Sequence, residues 1–247
     1  MTAGFRVFPL EGIPEVEEGD DLVALLAEAA ERAGGLEDAD VLVVAQKIVS
    51  KAEGRVVSLE GIEPSERAYE LAGDRDPRPV EAILRETVRV VRSRPPLVIS
   101  ETRHGFVCAS AGVDASNAKG EGTLVLLPVD PDASAARIRD GLKERTGREV
   151  GVIVSDSFGR PFRQGTTDVA LGIAGLVSTL DLAGRRDRVG YELQATVIAV
   201  ADELAGAAQL VMGKTDGKPA AVVRGIDLRG DGAGRDLVMP PERDLFR

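Results

Sequence analysis

The stretch Val152-Ile-Val-Ser-Asp-Ser-Phe-Gly-Arg-Pro-Phe-Arg-Gln-Gly-Thr-Thr-Asp168 changes abruptly from apolar residues to a carboxylate, hydroxyls, glycines and two arginines. A short apolar run bounded by turn residues is typical of an interior strand. The sequence therefore predicts a buried strand that delivers Asp156 and Ser157 to a polar loop. Their oxygens suit Mg²⁺ or Mn²⁺, while Arg160 and Arg163 can pair with phosphate or carboxylate oxygens, so the motif indicates phosphoryl chemistry. The alternative is an ordinary Asp-Ser turn with surface arginines.

Two other segments repeat this change from an apolar strand to polar side chains. One runs from Gly105 to Asn117 and contains Asp114, and the other runs through Gln46 and Lys47 to Lys51. Two strand-end carboxylates can hold one divalent cation, whose remaining ligands are water and substrate phosphates. An amide can orient a nucleotide and a lysine can neutralise its phosphates. The alternatives are an Asx turn at the first segment and solvated surface lysines at the second.

Composition restricts the class of protein. The chain has 247 residues and a net charge of −10, long enough for one large domain or two packed lobes. A single cysteine, Cys108, excludes an intramolecular disulfide and a multi-cysteine zinc site, and the single His104 excludes a multi-histidine centre. The acidic charge and the scarcity of aromatic residues argue against nucleic-acid binding. With no signal peptide and no apolar run near about 18 residues, we expect a cytoplasmic protein without membrane contact.

The pattern along the chain alternates strands and helices. We predict helices starting at Asp20 and at Asp130-Pro131, the second ending before Gly147. Pro64–Arg94 is predicted helical in two pieces, and residues 190–212 form the longest predicted helix. Glycines at 230–235 predict a flexible linker.

The segment Ala208-Gln-Leu-Val-Met-Gly-Lys-Thr215 nearly matches a phosphate-binding P-loop. A P-loop follows a strand and is rich in glycine, so that backbone N–H groups can surround the phosphate. Here the preceding residues are predicted to be helical and bulky. Gly213 is therefore predicted to be a helix C-cap, with only a looser nucleotide contact at this turn.

Taken in order, these motifs resemble the coenzyme F420-0:L-glutamate ligase (gamma-glutamyl ligase) family. Several ordered segments are more specific than any single one, and the resemblance covers roughly residues 6 to 228. The matching segments are Leu10-Glu-Gly-Ile-Pro-Glu15, Gln46-Lys-Ile-Val-Ser-Lys-Ala-Glu-Gly54, Ala111-Gly-Val-Asp-Ala-Ser-Asn117, Asp156-Ser-Phe-Gly-Arg160, Gly165-Thr-Thr-Asp168, Ala201-Asp-Glu203, Met212-Gly213 and Val223-Arg-Gly225.

The resemblance implies roles for individual residues. Lys51, Asp156 and Arg160 would be catalytic. Metal ligands would be Asp114, Asp156 and Ser157. GTP contacts would come from Ile13, Pro14, Glu15, Val16, Gln46, Lys51, Asn117 and Gly213. Two positions depart from the family's commonest pattern, since Gln46 replaces Ser or Thr and Thr166 replaces Gln.

The resemblance also implies a fold and an assembly. We expect an α+β fold of mixed sheets with packed helices, in an intertwined homodimer with its cleft at the interface. Residues 1–228 would form the ligase domain, as one unit or two packed lobes, and residues 229–247 a C-terminal tail. Some relatives carry a C-terminal flavin reductase-like domain; here we expect none, and no bound flavin.

The implied reaction is GTP-dependent ligation of L-glutamate to coenzyme F420-0 through an acyl phosphate, with Mg²⁺ or Mn²⁺ as cofactor. Two ions are expected, with K⁺ as a further option, and the number of γ-linked glutamates added is left open. One alternative is a metal- and nucleotide-dependent ligase or phosphotransferase for another small carboxylate. Another is a non-catalytic F420-binding module.

Overall fold

A computed structural model describes residues 4–118 and 120–245. The strands are β1 (Arg6–Leu10), β2 (Val41–Ala45), β3 (Val56–Ser58), β4 (Thr87–Arg94), β5 (Leu97–Thr102), β6 (Val107–Ala109), β7 (Thr123–Val125), β8 (Gly151–Arg160), β9 (Arg163–Ala174), β10 (Leu180–Asp181), β11 (Val197–Ile198) and β12 (Ala220–Arg224). The helices are α1 (Leu22–Arg32), α2 (Gln46–Ala52), α3 (Glu66–Ala72), α4 (Pro77–Arg85), α5 (Pro131–Thr146) and α6 (Val200–Met212). Short 3₁₀ turns cover Ser110–Gly112, Gly234–Leu237 and Pro241–Arg243.

The central element is a mixed five-stranded sheet in the order β1-β12-β2-β8-β9. Only β2 and β8 run parallel; the other neighbours are antiparallel. Along β2, Leu42 and Val44 pack into the core on one face, and Val41 and Val43 pack into the core on the other. Because both faces are covered, the strand is apolar at every position rather than at alternate ones.

Helices cover the two faces of this sheet. The core on one face contains residues of α1 and α5, and the core on the other contains residues of α6. The side chain of Asp130 caps α5 by accepting a hydrogen bond from the Ala133 N–H at 3.0 Å, and Gly147 ends the helix at a φ of 69°. The predicted span of this helix is therefore confirmed. Within the described residues, no helix is long and apolar enough to cross a membrane.

A smaller lobe is inserted between α2 and α5. It contains the sheets β3-β7 and β4-β5-β6 together with α3 and α4, and it has its own core that includes Leu71, Val80, Ile83 and Val98. The predicted α+β class with mixed sheets is confirmed. The two lobes touch where Phe106 packs edge-on against Phe158 of β8, with ring centroids 6.2 Å apart. The outer part of β8 therefore lies at the junction of the lobes.

Two predicted helices were too long. The helical pieces within Pro64–Arg94 end at Arg85, and residues 87–94 form β4 because their β-branched side chains suit a pleated strand. The helix predicted over residues 190–212 begins only at Val200. The preceding segment instead pairs with residues 180–187, as when the Leu182 N–H donates to the Thr196 carbonyl at 2.8 Å.

The segment after Asp156 is also not the predicted loop. The strand β8 continues to Arg160 and pairs with β9 in a hairpin, so that Asp156 and Ser157 lie within a strand. The hydroxyls and glycines of the segment are compatible with either state. The long-range pairing of β8 with β9 decides between them.

The predicted flexible linker at residues 230–235 is wrong. Gly234 is buried, and its N–H donates to Asp132 Oδ1 at 2.6 Å. A Cβ atom at this position would lie 2.1 Å from the carbonyl oxygen of Leu171. Glycine is therefore present because the tail backbone runs directly against β9, and not because the segment needs freedom.

Candidate functional site

A pocket of about 580 Å³ lies where the loop before α1, the start of α2, the strand β8 and the end of α6 meet. It gathers most of the residues singled out in the sequence, although they come from five separate segments. The predicted residues that line it are Ile13, Pro14, Glu15, Val16, Gln46, Lys51, Asn117, Asp156, Ser157 and Gly213.

One side of the pocket is a hydroxyl and carboxylate cluster on the β8–β9 hairpin. Ser155 and Ser157 share one face of β8, since side chains two apart on a strand point the same way. Asp168 lies opposite Ser157 on β9 and accepts hydrogen bonds from both hydroxyls, at 2.6 Å from Ser157 Oγ and 3.3 Å from Ser155 Oγ. The side chains of Gln209 and Lys214 also donate to Ser157 Oγ, at 3.3 and 2.8 Å.

Asp156 has a different environment from its neighbours on β8. The pKa of its carboxyl group is raised to about 6, chiefly by burial and in smaller part by the nearby Asp168 carboxylate, against the opposing effects of the Ser157 N–H and the charges of Lys47 and Lys214. Burial, together with the Asp156 charge, also raises the pKa of Cys108 to about 12. The thiol is therefore inert at neutral pH, whereas Asp156 is a desolvated carboxylate that a cation would stabilise.

Asp114 lies in the smaller lobe, beside the pocket. Burial alone would raise the pKa of its carboxyl group, but hydrogen bonds from Lys47 and Ser116 outweigh burial and lower it. The Lys47 Nζ is 2.7 Å from Asp114 Oδ2, and the Ser116 N–H and hydroxyl donate to the two carboxylate oxygens at 2.7 and 2.8 Å. Part of this pattern is an Asx turn, as the structural alternative expected, but the turn leaves the Lys47 contact unexplained.

The helix α2 supplies a second ion pair. Lys51 Nζ donates to Glu15 Oε1 in the loop before α1. Earlier on the helix, Gln46 is 1% exposed and accepts a hydrogen bond from Ser50 Oγ at 2.8 Å, while its Nε2 has no partner among the described residues. Because a buried amide without a partner is costly, this donor is available to a ligand in the pocket.

The side chains of the predicted metal ligands have suitable chemistry for a divalent metal ion, but one of them is already engaged in an ion pair. The carboxylates and hydroxyls at Asp114, Asp156 and Ser157 are the hard oxygen ligands that Mg²⁺ and Mn²⁺ prefer. In the described part of the chain, no three acidic, histidine or cysteine side chains come together as a metal cage. The protein would therefore supply only part of a coordination shell completed by water and phosphate. Asp114 would also have to release Lys47.

Arg160 does not line the pocket. It lies near the exposed end of the hairpin, where its guanidinium group donates to the Gln164 carbonyl at 3.0 Å. A catalytic role for Arg160 stays a prediction, as do the GTP-binding and metal-binding roles of the residues that do line the pocket.

Several lining residues were absent from the predicted site, and among them Asp168, Gln209 and Lys214 contact Ser157 directly. Asp168 is the last residue of the polar stretch that begins after Val154, and its position in that motif could have suggested a role in the site. Lys214 belongs to the segment that resembles a P-loop. The helix α6 ends at Met212 and Gly213 has a φ of 64°, so the predicted C-cap is confirmed, and the turn that follows brings Lys214 into the pocket.

Comparison with known families and proteins gives consistent results. The profile of the family described as F420-0:Gamma-glutamyl ligase matches residues 12–225. Proteins named coenzyme F420:L-glutamate ligase align over almost their whole length. The one from Methanothermobacter thermautotrophicus is 49% identical over 251 residues, covering 99% of this chain and 99% of that protein. The one from Haloarcula marismortui is also 49% identical, covering 98% of this chain and 95% of that protein.

Proposed function

The chain belongs to the F420-0:gamma-glutamyl ligase family, and from that premise we propose that it ligates L-glutamate to coenzyme F420-0 at the expense of GTP. A divalent metal ion, Mg²⁺ or Mn²⁺, is the proposed cofactor. The number of glutamates added and the use of K⁺ are left to experiment.

The proposed chemistry solves a leaving-group problem. A free carboxylate resists attack by an amine, because the group expelled would be oxide. In the first step a carboxylate oxygen of F420-0 attacks the γ-phosphorus of GTP, and GDP departs. In the second step the glutamate nitrogen attacks the acyl carbon of the acyl phosphate, inorganic phosphate departs, and the amine loses a proton. No protein nucleophile is needed, so catalysis reduces to positioning and neutralising charge.

The residues of the pocket suit these tasks. Lys51 and Lys214 bring positive charge to the space where phosphate oxygens would lie. Asp156, Ser157 and Asp114 would hold the metal, which when bound neutralises charge on the transferred phosphoryl group. The buried and unpartnered Gln46 Nε2 would donate to a nucleotide oxygen, although glutamine departs from the family's usual Ser or Thr.

A single observation carries the proposal. One pocket brings together the loop Ile13–Val16, Lys51, Asn117 and the β8 residues Asp156 and Ser157, which lie far apart in the sequence. Nucleotide contacts and metal ligands must be adjacent for phosphoryl transfer, and these residues, predicted for both, come here from four separate segments.

The reaction can be tested directly. Purified protein is incubated with F420-0, L-glutamate, GTP and Mn²⁺ or Mg²⁺, and mass spectrometry should show a gain of one or more glutamyl units. Labelling the F420-0 carboxylate with ¹⁸O should put one ¹⁸O atom into the released phosphate. No mass gain with any metal would refute the ligase assignment. Ligation without ¹⁸O transfer would refute only the acyl phosphate, and GTP turnover stimulated by another carboxylate would favour a different substrate.

The proposed active form is a homodimer. Exposed apolar side chains on the segment between β9 and α6 support it, since Val189 is 80% exposed, Tyr191 62% and Val197 56%. Large apolar side chains exposed together on one segment are a feature of interaction surfaces. Light scattering should give about twice the mass of one chain, and a monomer at micromolar concentration would contradict the proposal.

A further inference from the structure

Lys47 joins the two acidic positions of the site, but neither the family resemblance nor the proposed reaction gives it a role. Its Nζ is 2.7 Å from Asp114 Oδ2 and also donates to Ser116 Oγ. Its charge acts on Asp156 as well. The ammonium group therefore pairs directly with a carboxylate of the smaller lobe, and its charge also favours the ionised form of one on the central sheet.

The Lys47 side chain is held inside the site rather than at its surface. It is 12% exposed and lines the pocket, whereas Asp114 is 41% exposed. A lysine removed from water in this way depends on its carboxylate partners, because an unpaired buried charge is costly. The pair thus differs from surface pairs such as Lys143–Glu149, in which both side chains are about 60% exposed.

The helix α2 carries two such lysines. Lys47 and Lys51 are four residues apart, so they lie on one side of the helix, and both line the pocket. Each is paired with a carboxylate, Lys47 with Asp114 and Lys51 with Glu15. A polyphosphate entering the pocket offers both ammonium groups a second set of anionic partners.

A divalent cation and the Lys47 ammonium group compete for the same carboxylates. Asp114 cannot keep its 2.7 Å contact with Lys47 and bind a metal ion through the same oxygen, because the two positive charges would repel each other at short range. Lys47 must therefore leave when a metal binds. A nearby phosphate oxygen is the partner that makes this exchange favourable.

We propose that Lys47 is a positioning residue that serves as the counter-ion of Asp114 and Asp156 before the metal binds, and that it transfers to a phosphate oxygen when metal and nucleotide enter. This inference rests on the proposed function. Its consequence is that the metal ion and the nucleotide bind cooperatively, each weakly alone and more tightly together. The metal ion takes the place of Lys47 at Asp114, and a nucleotide phosphate then pairs with the displaced lysine.

The test is a Mn²⁺ titration followed by electron paramagnetic resonance, with and without a non-hydrolysable GTP analogue. A protein-free blank gives the Mn²⁺ bound by the analogue itself. In the unaltered protein the analogue should tighten Mn²⁺ binding by roughly 5- to 150-fold, the usual range for coupling between two ligands. In Lys47→Met, Mn²⁺ alone should bind more tightly than in the unaltered protein, and the analogue should add little.

Lys143→Met is the matched control, because it removes a lysine that pairs with a carboxylate on the surface of α5. It should leave both Mn²⁺ affinities unchanged. If Lys47→Met proves too unstable to titrate, Lys47→Gln keeps a hydrogen-bond donor without the charge and should show the same change. Circular dichroism melts of each variant, with and without Mn²⁺, monitor folding independently of activity.

The outcomes separate this inference from the proposed function. Tighter Mn²⁺ binding by the Lys47 variants, with reduced coupling, supports it. Equal or weaker Mn²⁺ binding by both variants overturns the counter-ion role, while ligation by the unaltered protein still supports the proposed function. If the unaltered protein binds no Mn²⁺ even with the analogue, the metal part of the proposed function fails together with the inference.

Discussion

The inner and outer halves of β8 belong to one strand but differ in almost every property. From Gly151 to Ser155 every residue is buried, and the strand is flanked by β2 and β9. From Asp156 to Arg160 the strand no longer pairs with β2; it pairs with β9 alone and becomes progressively exposed. Apart from Ser155, which lines the pocket, the inner half carries the packing of the domain, and the outer half carries polar groups of the pocket.

The outer half of β8 shows how a rigid strand can position reactive groups. The β2 pairing stops at Ser155, so the next residues keep strand geometry while their side chains become available to the pocket and to the smaller lobe. A carboxylate on a strand is held more firmly than one on a loop, which suits a site where charge must be positioned. Changes in the outer half should therefore affect activity, and changes in the inner half should affect stability.

The largest expected effect is a loss of turnover when the acidic residues of the site are substituted. Asp156→Asn and, in the smaller lobe, Asp114→Asn should each lower kcat by roughly 10²-fold or more, because both remove charge needed to hold the metal ion. Ligation rates at saturating GTP measure this. Thermal melts must show folded variants, and near-normal turnover in both would remove the metal site from the proposal.

A substitution in the inner half of β8 should instead lower stability and leave turnover near normal. Ile153 is fully buried in the core that also contains Leu204 of α6, so Ile153→Ala should lower the free energy of unfolding by about 2 to 5 kcal/mol. Urea denaturation measures the loss. Turnover well below the melting temperature should stay near normal, and a large fall in kcat of the folded variant would show that the two halves are not separable.

The third test uses the pH dependence of stability in metal-free protein. The folded pKa of Asp156 is about 6, above its usual value of 3.8, so the folded state holds the proton more tightly than the unfolded state. The contribution of the Asp156 carboxyl group to the free energy of unfolding is fully present below about pH 4 and is lost as pH rises through about 6. Relative to the unaltered protein, Asp156→Asn should therefore gain about 1 to 3 kcal/mol between those values. If the difference in unfolding free energy between Asp156→Asn and the unaltered protein stayed constant across this pH range, the raised pKa of Asp156 would be contradicted.

The smallest expected effect is at the exposed end of the hairpin. Arg160→Ala removes a guanidinium group that contacts Gln164 rather than the pocket. We expect turnover to fall only about tenfold, the scale of one charged hydrogen bond to a substrate. The matched change Arg163→Ala is the control for loss of charge on the hairpin. A loss as large as that of Asp156→Asn would place Arg160 at the reacting phosphate, and no loss would end its predicted catalytic role.

The family, the α+β class and the motifs that meet in the pocket could all be inferred from the amino-acid sequence. Those conclusions rest on local signals. An apolar run such as residues 41–45 predicts a buried strand, Asp130-Pro131 begins a helix, and Gly213 ends one. Such signals work because capping, turn formation and burial periodicity depend on neighbouring residues.

Which groups face one another could not be inferred from the sequence and depends on the folded chain. The pairing of β8 with β9 keeps Asp156 in a strand, and a close approach to β9 makes Gly234 part of the packing instead of a linker. The packing of the smaller lobe against the central sheet brings Asp114 to Lys47, 67 positions away in the chain. These contacts depend on long-range packing, whose free energy outweighs local preference and leaves no trace in the spacing of residues.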